Sequence, residues 1–179
     1  MIKYPIDYQR ICKMIIREKA GRIEAYEGMG IEPDWLDLEW FETRKRILHK
    51  KSSGGVAVSL KFLAESPEIT EGDVLHADEE RLIVARILPC DCIVVKPGSL
   101  FETASLCYEI GNKHLPLFFE DNALLVPFEA PLYRLLVAQG YAVLRENRKL
   151  LQPLRTTVSP HPSGNSGSLF SKIMQLTNS

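Results

Sequence analysis

Alternating apolar and polar positions dominate the first half of the chain. In "GGVAVSLKF", Val56, Val58, Leu60 and Phe62 fall on one face and Ala57, Ser59 and Lys61 on the other, the period of a half-buried strand. "DWLDLEWFETRKRIL" carries Leu36, Leu38 and Trp40 in the same period. "GDVLHADEERLIVARIL" reads as a hairpin with a polar tip at Asp78, Glu79 and Glu80, and Gly54-Gly55 and Gly72-Asp73 supply turns. With short strands and no convincing helix, residues 14–88 are expected to form a small all-β domain. The strand-like run Met14-Ile15-Ile16 opens it. Residues 1–13 are expected to be a loosely held extension, and Met14 offers a second translation start beside Met1.

Past Pro89 the period lengthens. "DCIVVK" is a strand, and "PGSLFETASLCYEIGN" predicts a helix with readable ends. Ser99 followed by Glu102 is a capping box, and Gly111 suits a left-handed stop. Leu100, Phe101, Ala104, Cys107 and Tyr108 make the expected apolar stripe. Two strands follow, "LPLFFE" and "ALLVPF", joined at Asp121-Asn122. A second helix, "APLYRLLVAQ", has Pro131 in its first turn and Gly140 past its end, and a last strand starts near Tyr141. The order β-α-β-β-α-β is the split βαβ, or ferredoxin-like, arrangement. The chain is thus expected to be α+β, with a ferredoxin-like domain over 89–155. Residues 156–179 are expected to be a flexible tail, opening with a Pro/Ser/Gly stretch. It ends in "LFSKIMQL", where Leu169, Phe170, Ile173 and Met174 can share one apolar face and dock on the same domain or on a partner.

Composition narrows the function. A formal net charge of -1 over 179 residues excludes a nucleic-acid binder that relies on a broad basic surface. No run reaches the roughly 18 apolar residues of a membrane helix, and "MIKYPIDYQRICKMIIREKAG" is too polar for a secretory signal. With 4 cysteines and no export signal, free thiols and a cytoplasmic location are expected. GxSxG, P-loop and HExxH patterns are absent from the sequence, so no enzyme of those classes is expected.

Candidate chemistry rests on the histidines and on one cysteine pair. His49 ends a basic strand, "RKRILHKK", and reads as solvated; His76, in the hairpin arm, reads as structural. His114 differs: it leaves the C-terminal end of a capped helix, where carbonyl partial charge favours a cation, directly before Leu115-Pro116. Cys90 and Cys92 form C-x-C on a strand, both side chains on one face. Such thiols suit a soft metal, but a zinc site generally needs four ligands. Cys107 belongs to the first helix and Cys12 to the extension.

"DLEWFETRKRI" followed by "CYEIGNKHLPL" closely resembles the UreE family of urease accessory proteins, the nickel metallochaperones for urease. The resemblance runs from about Met14 to His161, and the glycine-asparagine-basic-histidine-x-proline pattern is its most specific part, with Lys113 where members usually have arginine. It implies a peptide-binding-like β domain, a ferredoxin-like metal-binding domain, and a homodimer that serves urease apoprotein and its accessory proteins, including a GTPase. It implies that His114 binds metal at the dimer interface. His161, in "SPHPSG", looks like the lone tail histidine that assists in short-tailed members. Histidine-rich tails and the further histidines of some members are missing from this chain, so one shared Ni(II) site is expected instead of nickel storage. Zn(II) or Cu(II) would suit the same imidazoles in vitro. The alternatives are a peptide-binding scaffold with incidental or zinc-only binding, and an enzyme using His114 as general base beside Glu109.

Overall fold

A computed structural model describes residues 14–63 and 66–154; the expected extension and tail lie outside the described residues. The alternating first half forms β1 (Met14–Ile16), β2 (Gly21–Arg22), β3 (Pro33–Leu38), β4 (Ile47–Lys51), β5 (Ala57–Lys61), β6 (Asp73–Ala77) and β7 (Leu82–Ile87). One sheet has the order β1-β5-β4 and the other β2-β6-β7-β3. Ile16, Val58 and Leu60 from the first meet Leu36, Leu38, Leu75, Ile83 and Ile87 from the second in one core. Each such side chain stabilises the fold by about 1.5–3 kcal/mol on burial. The β5 face holds as expected, with Val58, Leu60 and Phe62 buried. So does the hairpin: Asp78 Oδ1 accepts the N–H groups of Glu80 and Arg81 at its tip.

One expectation fails here. β3 stops at Leu38, and Trp40 opens a 3₁₀ turn, Trp40–Glu42, instead of continuing the strand. Glu42 Oε2 takes the Glu39 N–H at 3.0 Å and also holds Lys50, so the backbone curls back and swings Trp40 out of the sheet. The half also contains a 3₁₀ helix, Ile23–Met29, too short to impose a helical period on the sequence. Its Ile23 and Tyr26 cover Val74, Leu82 and Val84 on the outer face of the second sheet.

The second half contributes β8 (Cys90–Val95), α1 (Leu100–Asn112), β9 (Phe118–Glu120), β10 (Ala123–Pro127), α2 (Ala130–Ala138) and β11 (Val143–Arg148). Its sheet order is β11-β8-β10-β9 with every neighbour antiparallel, the split βαβ arrangement. Asp121 and Asn122, with φ of 50° and 59°, make the tight β9–β10 turn that right-twisted strands favour. Both helices pack on one sheet face through Leu106, Ile110, Leu132 and Leu136. The other face buries Cys92, Val94 and Leu125, with Trp40 against Phe118 at 5.9 Å between ring centroids. The chain after β11 runs along the β9 edge: Phe119 N–H donates to Gln152 O at 3.0 Å and Leu154 N–H to Leu117 O at 2.7 Å. Glu71 ties the halves together, accepting the Ile87 N–H at 2.6 Å and Lys149 Nζ at 2.8 Å.

Candidate metal centre

His114 owes its position to both ends of α1. At the N-terminus, Ser99 Oγ accepts the Glu102 N–H at 3.1 Å, satisfying a donor the helix leaves unpaired. The returning bond reaches one residue further than a capping box, from Gly98 N–H to Glu102 Oε2 at 2.6 Å. Leu106 and Ile110 then anchor the helix to the sheet.

The C-terminus corrects the expectation placed on Gly111. That glycine is still helical, and the left-handed residue is His114, with φ of 56°. His114 N–H donates to Gly111 O at 2.9 Å and Leu115 N–H to Ile110 O at 3.4 Å, the paired bonds of a Schellman cap. Leu115 joins Ile110 in the helix-layer core, the apolar contact that accompanies this cap. Pro116 is the sequence signal for this later stop, since proline follows shortly after such caps. A left-handed conformation costs a residue with a Cβ about 1–2 kcal/mol, and the packing of Leu115 and Phe118 holds it in place. The ring itself is exposed.

The expected stripe of α1 is also corrected. Leu106 and Ile110 face the core, while Leu100, Phe101 and Tyr108 are 85%, 80% and 73% exposed. At 100° per residue, these three and Ala104 lie on the side of α1 away from the sheet. The sequence shows two apolar sides on one helix, and only the tertiary packing tells them apart.

The remaining candidates fall elsewhere. His49 is exposed, its Nδ1 2.9 Å from Ser59 Oγ; His76 Nε2 lies 2.8 Å from Asp78 Oδ2 at the hairpin tip. Glu109, the carboxylate that a general base would need, pairs with Lys113 at 3.3 Å. The Cys90 and Cys92 sulfurs are 3.7 Å apart, with Cys92 fully buried. Burial, reinforced by the neighbouring thiol, pushes Cys90 up to about 12, and burial also raises Cys92. Since thiolate is the ligating form, an ion there would have to displace protons held more tightly than on a free thiol. His161 lies outside the described residues. Among the described residues, no three His, Cys, Asp or Glu side chains gather closely enough to hold an ion.

Comparison with known proteins covers nearly the whole described chain. Residues 16–88 match the UreE urease accessory protein, N-terminal domain, and residues 90–163 match the UreE urease accessory protein, C-terminal domain. A urease accessory protein UreE of Flavobacterium johnsoniae is 45% identical over 163 residues, 91% of this chain and 99% of that protein. The one from Acetivibrio thermocellus is 37% identical, covering 79% of this chain and 92% of its own length. That of Helicobacter pylori is 34% identical over 85% of this chain and 92% of its own.

Proposed function

Because the chain belongs to the UreE urease accessory protein family, we propose that it is a cytoplasmic, non-enzymatic nickel metallochaperone. In this reading it is a homodimer in which two copies of His114 meet on the two-fold axis and carry Ni(II) to urease apoprotein. The accessory proteins of urease, including a GTPase, are its partners, and His161 completes the metal's coordination from the tail. One observation carries the proposal: an exposed imidazole fixed in a left-handed helix cap, at the end of a helix whose outward side is apolar.

The physical logic is short. One imidazole holds a divalent ion poorly, whereas a two-fold axis duplicates it from identical surfaces. Leu100, Phe101 and Tyr108 form the kind of exposed apolar patch that marks an interface. The cap fixes the backbone that bears the ring, so little freedom is lost on ligation. Carbonyls at the end of α1 favour the approaching cation. An ion held by few protein donors is also readily released to a better site.

Calorimetric titration with nickel, alongside sedimentation, tests this. Wild type is expected to bind about one ion per dimer, and His114→Ala to lose that event while remaining dimeric. Equal binding by both proteins, or a wild type that sediments only as monomer at micromolar concentration, would refute the shared site.

A further inference from the structure

Between the two halves lies an apolar groove of about 250 Å³. Its lining includes Trp40, Phe41, Pro116, Phe118, Leu151 and Pro153, with Arg44 and Glu68 also at its surface. Trp40 meets Phe41 edge-on at 5.5 Å and Phe118 at 5.9 Å. Phe41 is nonetheless 51% exposed and Leu151 36%. A cavity of ~150 Å³ admits a benzene-sized ring, so this groove has room for a phenyl ring with an aliphatic neighbour.

We propose that the occupant is the chain's own segment 169–176, which lays Phe170 and its neighbours into the groove between the two halves. Two observations favour it over a separate partner. First, the described chain ends at Leu154, one residue beyond Pro153 in the groove wall, so the following residues start from the groove itself. A random coil as long as residues 155–168, which are rich in Pro, Ser and Gly, would span roughly 20 Å. That puts the segment at millimolar effective concentration, and an intrinsic dissociation constant on the order of 0.1 mM keeps the groove mostly filled. Second, the segment fits chemically. Leu169, Phe170, Ile173 and Met174 recur at helical spacing, with Lys172 the only charged residue from 169 to 176.

Docking has a consequence for His161. With the segment docked, residues 155–168 would be held at both ends near the groove, whose lining includes Pro116, two residues from His114. The loop confines the imidazole it carries and shortens its search for a metal at His114. This consequence rests on the nickel reading above; the docking itself does not, and is therefore measured without metal.

The chain has two tryptophans, and Trp35 packs in the outer cluster with Ile23 and Tyr26, so Trp35→Phe leaves Trp40 as reporter. In that background, in EDTA, the full chain is compared with one ending at Ser168. Truncation is expected to red-shift the Trp40 emission without altering the circular dichroism. Phe170→Ser in the full chain should reproduce the shift, and a synthetic peptide of residues 168–179 should reverse it saturably in the truncated chain. Leu151→Asp should abolish the peptide's effect. Unchanged emission on truncation and in Phe170→Ser would overturn the proposal. A shift that depends on protein concentration between 1 and 100 µM would overturn it too, assigning the groove to a second copy's tail.

Discussion

The two helices end in the same cap with different residues. At the end of α2, Gly140 has φ of 85°, its N–H bonds Val137 O at 3.0 Å, and Tyr141 N–H bonds Leu136 O at 3.1 Å. At the end of α1 the same pair of bonds is made, but His114 occupies the left-handed position. Glycine takes that conformation freely, and histidine does not. Both caps satisfy orphan carbonyls and redirect the chain into a strand, so architecture alone explains Gly140. For His114 it explains the backbone but not the side chain. A residue held this way with an exposed ring fits the metal-binding role proposed above.

Several substitutions break or sharpen this contrast. Ile110→Ala should have the largest effect, a loss of about 2–5 kcal/mol in denaturant unfolding. Ile110 supplies both the carbonyl that accepts the Leu115 N–H in the α1 cap and the side chain under Leu115; a loss below 1 kcal/mol would show that the cap does not depend on its apolar anchor. Gly140→Ala should cost about 1–2 kcal/mol. Open space surrounds the added Cβ, so the loss would report backbone strain and not a clash. His114→Gly should do the opposite, leaving stability equal to wild type or raising it by up to about 1 kcal/mol, while removing nickel binding. Marked destabilisation would make the histidine a structural residue and undo the contrast.

The smallest effect concerns the competing ligands. Cys90, pushed up by burial to about 12 from an ordinary 9.0, should react with iodoacetamide far more slowly at pH 8 than a free thiol. The sign for stability follows from linkage. A raised thiol contributes stability that is complete below pH 9.0 and declines as pH rises toward 12. Alkylation at the free-thiol rate in the folded protein would return C-x-C to consideration as a metal site.

Much of the fold could be read directly. The apolar face of β5, the β6–β7 hairpin and the order of elements after Pro89 all stand in the structure, although Ser59 on the expected polar face of β5 is buried too. Each is a local pattern, and side-chain direction follows from the period of the element alone. Trp40 resisted because its departure from the strand depends on Glu42 meeting Glu39 and Lys50, a contact that no window of alternation records. The candidate site divides in the same way. The motif around His114 marks the residue, but its left-handed backbone depends on Leu115 finding Ile110 in the core.

Local pattern alone shows where strands and helices form, which family the chain resembles, and which histidine stands out. Those follow from short-range periodicity, capping and motif. Which side of α1 faces the sheet, which residue ends that helix, and how Trp40, Phe41 and Phe118 open a groove between the halves were decided only by tertiary packing. The reason is physical: α1 carries apolar residues on two sides, and only the shape of the sheet beneath it selects Leu106 and Ile110 for burial.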